Sequence, residues 1–280
     1  MDSKIAVCLT FDFDAISLWL GTFHASSLSA ISRGEFGRVG AERILKLLGD
    51  RGLPSTWFVP GHSAETYPAI IEQIMAGGHE IGHHGYLHTH PKSPEDEAAI
   101  LDRGSTVLER MTGRKPIGFR SPGAGLSFNM VKLLQERGFA YDSSLMGDDF
   151  SPYYMRLGDN PTADGPYNFG KPVDVVEIPF TWGLDDFPAF EYVTSRWGIQ
   201  QGLSSPSAVY EIWAGDFDYL HDRVGEGIYA LTMHPQVIGR GHRMLMLERL
   251  IDYIATHRDV KFMTMAEAAS EWRKEHPLPR

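Results

Sequence analysis

The stretch Ile5-Ala-Val-Cys-Leu-Thr-Phe-Asp-Phe-Asp14 decides the reading of the chain. An apolar run of strand character ends in two carboxylates. Strand side chains alternate between faces, so Asp12 and Asp14 share one face while Phe11 and Phe13 share the other. Two acids side by side repel unless something positive sits between or beside them, which turns a strand end into a candidate site. Two distant stretches follow the same plan: His84-Gly-Tyr-Leu-His88 and Leu231-Thr-Met-His234-Pro235 each come after an apolar, β-branched run. If these runs are parallel strands, the polar groups of all three emerge at one end of the sheet. In a β/α barrel that is the end where chemistry is done.

Strand-like runs alternate with helical patterns along the whole sequence, the mark of a mostly parallel sheet with helices outside. Strands are expected near 4–11, 55–59, 79–83, 116–120, 139–143, 174–180, 228–233 and 260–264. The fold class is therefore α/β, a single irregular (β/α) barrel of seven or eight strands formed by residues 1–280 as one domain. Ser93-Pro94, Ser205-Pro206 and the capping box Thr264-Met-Ala-Glu267 mark helix starts. Between 242 and 257, Met244, Leu247, Leu250, Ile251 and Ile254 recur at helical spacing and give one buried face. The rhythm breaks at 145–173, rich in Asp, Pro, Gly, Tyr and Asn, and at 181–190. Connections that long and irregular usually cover a site or an interface.

Composition narrows the function. The chain has 280 residues, 42% of them hydrophobic, and a formal charge of −10 from 26 basic and 36 acidic residues without a long like-sign run. That balance argues against nucleic acid and anionic membranes as partners. The one cysteine, Cys8, lies in the first apolar run and reads as a buried structural thiol, with no disulfide framework in one chain. Met1-Asp-Ser-Lys leads straight into a strand without a basic-then-apolar leader, and no apolar stretch reaches the roughly 18 residues of a spanning helix, so a cytoplasmic protein is expected.

His84 and His88 are four apart, which in a helical turn puts both rings on one side, within reach of one ion. His79, His83 and His90 crowd the same segment, so spacing alone leaves the choice of ligands open. Two histidines and one aspartate would leave a coordination position free for water, as catalysis needs. Arg120, in Phe119-Arg-Ser-Pro-Gly123, either neutralises nearby acids or holds Asp12 oriented and ionised. Gly123, lacking a Cβ, lets its backbone N–H approach a substrate oxygen. His234, with an unperturbed pKa of about 6.5, suits protonation of a departing nitrogen.

These segments resemble the motifs of the polysaccharide deacetylase family, metal-dependent amide hydrolases on an irregular β/α barrel, and the resemblance runs from Thr10 to His234. It implies that Asp12 is the general base, Asp14, His84 and His88 the metal ligands, Arg120 the residue that orients the base and His234 the general acid. It implies one divalent cofactor, with zinc favoured and cobalt or manganese able to substitute. The family's usual adjacent Asp-Asp pair is here Asp12-Phe-Asp14, and the aromatic after its Arg-x-Pro is here Gly123. With Tyr141-Asp-Ser-Ser144, Trp182-Gly-Leu-Asp-Asp186 and His234-Pro-Gln-Val-Ile-Gly-Arg240, this looks like the branch of cyclic imide hydrolases, allantoinase-like enzymes and proteins labelled peptidoglycan deacetylases.

Gly123, Trp182, Asp185 and Asp142 are the expected substrate-binding residues, with Asp142 and Asp185 the next candidates for the base by strand-end position. Because the segment Met146–Tyr167 is expected to roof the pocket, the favoured reaction is ring opening of a small cyclic imide or ureide. The alternative is N-deacetylation of an N-acetylated sugar, peptidoglycan or its precursor. A barrel that has lost catalysis and only binds is the third reading. Partners are expected to be a small-molecule substrate and further copies of the chain, since that branch commonly forms tetramers.

Overall fold

The computed structural model describes residues 4–195 and 198–278. The strands are, in chain order, β1 (Ile5–Asp12), β2 (Thr56–Val59), β3 (Glu80–His83), β4 (Gly118–Phe119), β5 (Tyr141–Asp142), β6 (Tyr153–Leu157), β7 (Lys171–Glu177), β8 (Val193–Ser195), β9 (Gly198–Gln200), β10 (Gly227–Met233) and β11 (Val260–Phe262). They build a nine-stranded sheet in the order β10-β1-β2-β3-β4-β5-β7-β6, with β11 also on β1, and a separate β8-β9 hairpin. Every pairing from β10 to β7 is parallel, so those strands end on the same rim. The sheet curls into an irregular barrel. β10 occupies one edge of β1 from Ile5 to Phe11, while the other edge is shared, β11 pairing Ile5–Val7 and β2 pairing Thr10–Asp12. On the side where β7 and β10 do not pair, a single parallel bridge joins Asp185 to Thr232.

Alternation along β1 sorts the core into two layers. Val7, Leu9, Phe11 and Phe13 face the helices and belong to the main apolar cluster, with the Phe11 ring 4.8 Å from that of Trp57. Cys8 faces inward among Phe58, Tyr141, Val176 and Met265. It is a fully buried thiol, and burial pushes its pKa far up, as suits a structural role. Helix starts lie where the hydroxyls predicted them: Ser93 and Ser205 accept from Asp96 and Ser207 N–H, and Thr264 and Glu267 complete the capping box. The helix Gly241–Ile254 buries Met244, Leu247, Leu250, Ile251 and Ile254 as one face. No described helix is long and apolar enough to cross a membrane.

All eight predicted strands are present, with β4 and β5 cut to two residues each. Two irregular regions need correction. Within 145–173 the chain forms β6, antiparallel to β7, and a bridge between Asn160 and Asn168. Residues 181–190 form a short 3₁₀ turn, Trp182–Leu184, and a one-turn helix, Asp186–Phe190. Because β6 carries the chain to the outer edge of the sheet, Met146–Tyr167 does not roof the site. It lines a separate groove of about 900 Å³ with Phe128 and Trp272.

Candidate active site

At the rim where the parallel strands end lies a cavity of about 190 Å³ with Asp12, Asp14, His88, Arg120 and His234 in its lining. Its walls come from Leu18–Phe23, Ser121–Ala124 and Phe180–Pro188, with Gln200 reaching in from β9. After Asp14 the chain turns sharply through Ala15, a non-glycine residue at φ 47°. Gly34 permits that turn to pack: a Cβ there would stand 2.6 Å from the Ala15 carbonyl oxygen.

Asp12 is saturated. Its Oδ1 accepts from Arg120 Nη1 at 2.8 Å. Burial works against its charge, yet the guanidinium holds its carboxyl below the ordinary range. Arg120 is itself fixed: it donates to Thr10 Oγ1, to the Ser143 carbonyl and to Ser143 Oγ, and its guanidinium lies 4.2 Å above Phe58.

Asp14 is the opposite case. Among the described residues, both its carboxylate oxygens and His84 Nε2 are buried without a hydrogen-bond partner. Asp14 Oδ1 stands 3.4 Å from His84 Nε2 and Oδ2 stands 3.9 Å from His88 Nε2. The outer nitrogens explain which lone pairs point inward. His84 Nδ1 donates to the Arg120 carbonyl oxygen at 2.7 Å. The Thr22 hydroxyl spends its proton on the His88 carbonyl, so at 2.6 Å it accepts from His88 Nδ1–H. Both Nε2 atoms are thereby left as acceptors, as in histidines whose other ring nitrogen is held by a hydrogen bond so that the free one can bind a metal. Burial lowers the pKa of both rings, and for His88 the neighbouring imidazoles lower it further, which keeps them neutral. Burial also raises Asp14 well above the usual carboxylate range, as do the nearby acids, though His234 opposes this. Without a cation in the cavity this carboxylate is destabilised. The three residues form a cluster whose donor atoms lie within 4.8 Å of one another, and their chemistry fits a divalent ion.

The histidines that spacing leaves undivided differ in their partners. His83 is a structural residue, with Nε2 donating to the Leu101 carbonyl and Nδ1 accepting from Gly85 N–H. His79 bonds Ser55, and His90 is exposed. His84 and His88 meet across a bend rather than a helical turn, their ring centroids 5.2 Å apart.

His234, directly after β10, faces Asp12 and Asp14 through Nε2, at 4.0 and 3.7 Å. Its Nδ1 donates to Asp186 Oδ1 at 2.7 Å, and its backbone N–H reaches the same carboxylate. Burial disfavours the cation, but Asp185 and Asp186 outweigh it and raise the pKa well above the ordinary value. Asp185 is placed differently from Asp186. It lines the cavity, caps the Phe187 N–H at 2.7 Å, and burial lifts its carboxyl to about 7.

Of the expected substrate-binding residues, Gly123, Trp182 and Asp185 line the cavity. Gly123 adopts φ 63°, which favours glycine, and Trp182 is 45% exposed at the mouth. Asp142 is not brought to the cavity. It is fully buried behind the Ser143 and Ser144 backbone, faces Glu177 across the β5–β7 pairing and accepts from Ser144 Oγ. The sequence reading missed Thr22, Asp186 and Glu177. The signal for Glu177 is legible: an acid embedded in Val173-Asp-Val-Val-Glu-Ile178.

A β/α barrel whose strand ends gather a bare Asp–His–His set, a restrained carboxylate and a carboxylate-backed histidine has the layout of a hydrolase. Residues 2–141 match the polysaccharide deacetylase family, and the chain belongs to that family. It is 35% identical to a peptidoglycan deacetylase of Helicobacter pylori, over 99% of both chains. It is 33% identical to a peptidoglycan deacetylase-like protein of Gibberella zeae, over 99% of this chain and 88% of that one. Among solved structures, a Mycobacterium smegmatis protein assigned to the polysaccharide deacetylases superposes with a TM-score of 0.88 at 34% identity, covering 100% of this chain and 94% of the other. The PuuE allantoinase superposes at 0.79 with 26% identity, over 99% of this chain and 93% of its own. The chain is thus a deacetylase-family hydrolase of carbon–nitrogen bonds.

Proposed function

We propose that the chain removes the acetyl group from an N-acetylated sugar of the peptidoglycan type, or from a precursor of one. The observation that carries the reading is the convergence of Asp12, held by Arg120, and His234, held by Asp186, on one small cavity beside the bare Asp14–His84–His88 set. Asp14, His84 and His88 would hold a divalent ion, zinc in this proposal, which when bound supplies Lewis-acid polarisation of the amide carbonyl and a more acidic water. Asp12, kept ionised, accepts the proton of the attacking water. The N–H of Gly123 donates to the developing oxyanion. His234, protonated through its carboxylate neighbours, gives its proton to the leaving nitrogen and returns to the neutral state.

About 190 Å³ accommodates an acetamido group and part of a ring rather than a buried polymer. The half-exposed indole of Trp182 at the mouth offers an apolar face on which the rest of a sugar can lie. The names of the relatives aligned over the whole chain favour the same class. Ring opening of a small cyclic imide or ureide is the second reading, favoured by the cavity's size and its Phe23, Phe180 and Phe187 walls. A rate comparison on the zinc-loaded protein decides between them, measuring acetate release from N-acetylglucosamine oligomers and muropeptides against ring opening of succinimide, hydantoin and allantoin. Faster turnover of the cyclic compounds replaces the deacetylase reading and leaves the residue roles intact. Assembly as a homotetramer belongs to the same proposal, and a monomer by sedimentation at micromolar concentration removes it.

A further inference from the structure

Behind the wall of the cavity lies a second pair of acids that the proposed chemistry does not use. Asp142 ends β5 and Glu177 ends β7, directly opposite in the register, so their side chains leave the sheet on the same side. Both are fully buried. Glu177 Oε1 accepts from the backbone N–H of Ser144 at 2.9 Å and of Leu145 at 2.8 Å, and Asp142 Oδ1 accepts from Ser144 Oγ at 2.9 Å. The remaining oxygens, Asp142 Oδ2 and Glu177 Oε2, have no donor among the described residues, although the two carboxyl groups are within hydrogen-bonding reach of each other. Two buried carboxylate oxygens that face one another repel, and one proton between them turns that repulsion into a bond.

The pair is wired to the cavity by a short chain of bonds. Ser144 Oγ, while donating to Asp142, accepts from the backbone N–H of Ser121 at 2.9 Å. Ser121 opens the turn that presents Gly123, and it follows Arg120, whose Nε and Nη2 rest on the Ser143 carbonyl and hydroxyl. One clamp therefore sets both Asp12's partner and the turn that presents Gly123.

We propose that Asp142 and Glu177 share a single proton and act as a positioning pair, fixing Ser143 and Ser144 so that Arg120 and the Ser121–Gly123 turn are held in register with Asp12. Its effect on turnover rests on the proposed function, whereas the sharing of the proton does not. Burial raises Asp142 to about 6, and burial together with the neighbouring acid raises Glu177 well above the carboxylate range, in keeping with one proton held near neutral pH.

The arrangement makes an unusual prediction for amide variants. In Glu177→Gln the amide oxygen still accepts from Ser144 and Leu145 N–H, and the NH₂ donates to Asp142 Oδ2, replacing the shared proton. Asp142→Asn works in the same way from the other side. In the double variant both oxygens are committed to their donors, so two NH₂ groups face each other with no acceptor between them. Each single variant of the zinc-loaded protein should therefore stay within about threefold of wild type in kcat. The double should lose about 10–100-fold in kcat with KM little changed, the cost of a small misplacement of reacting groups. Two readouts need no substrate. Wild type minus either single variant should show a protonated-carboxyl stretch in the infrared at pH 8, lost because the surviving acid is ionised. Hydrogen exchange across 118–126 should be slow in wild type and both singles, and fast in the double, with zinc content unchanged. Additive single and double effects, no such infrared band, or unchanged exchange in a folded double variant would each overturn the pair. Failure of N-acetyl substrates with the infrared and exchange results intact would overturn only the deacetylase reading.

Discussion

The acids on the cavity floor and those of the 146–170 excursion differ less in number than in what surrounds them. In the excursion Asp148 and Asp159 are occupied. Asp159 receives both Arg156 Nε and Nη2, Gly170 N–H and the Tyr167 hydroxyl, and Asp148 Oδ1 receives Phe150 and Ser151 N–H. On the floor, Asp14 has neither oxygen occupied among the described residues although it is fully buried. A buried acid without donors costs stability unless a cation completes it, so it marks a site. An acid ringed by donors at the sheet edge marks a fold. Both segments looked site-like in sequence, and only the partners distinguish them.

The largest effect should come from removing what Asp14 lacks partners for. His84→Ala and His88→Ala should each lose bound metal by elemental analysis and reduce turnover to background. Unchanged metal stoichiometry in both variants would mean that the unpartnered atoms of Asp14 and His84 are satisfied in another way, and the contrast between the two regions would fail. Next is Asp12→Asn, which keeps the shape and the contact with Arg120 but removes the proposed proton acceptor. It should retain metal while kcat falls by about 10²–10⁴-fold. A near-normal kcat would move the base to Asp185, which lines the cavity beside Asp12 and Asp14.

Much of this was legible, for identifiable reasons. The β1 motif could be read because alternation in a buried strand allows only one arrangement of Phe11, Asp12, Phe13 and Asp14. The eight parallel or inner strands announced themselves as apolar runs. β6 did not, because Tyr153-Tyr-Met-Arg-Leu157 is an edge strand with its buried Met155 set among half-exposed neighbours, in a context of Asp, Pro and Gly. The choice between Asp185 and Asp186 was beyond sequence: adjacent residues point in different directions, and only the bridge of Asp185 to Thr232 puts Asp186 against His234. Thr22 acts through a hydroxyl that happens to lie beside a bend 66 residues away, a contact that no spacing rule contains.

A smaller effect tests the proton side of the floor. Asp186 lies against His234 Nδ1 and favours its cationic form, so the folded pKa of His234 is raised and its proton persists to higher pH. Asp186→Asn removes that support, and the pKa of His234 falls. The alkaline limb of the kcat/KM profile should therefore move to lower pH, with kcat at neutral pH reduced about 10-fold or more and metal retained. A shift of that limb to higher pH would show that His234 is not the proton donor.

The smallest effect belongs to the excursion and is the sharpest check on the contrast. The Arg156 guanidinium, with the Gly170 N–H and Tyr167 hydroxyl, depresses Asp159 to about 2. A depressed carboxyl contributes stability that is present above its unfolded value of about 3.9 and is lost as pH falls through about 2. Asp159→Asn should therefore melt slightly below wild type at pH 6, by less than about 1 kcal/mol for a pair near the surface, with the difference closing as pH falls from about 4 toward 2. Its kcat and KM should match wild type, because the segment it fastens lines the outer groove and not the cavity. A tenfold loss of kcat in Asp159→Asn, with the melting difference as small as expected, would mean that the excursion reaches the substrate after all. The boundary between the acids that fasten the outer segment and those of the cavity would then have to be redrawn around Met146–Tyr167.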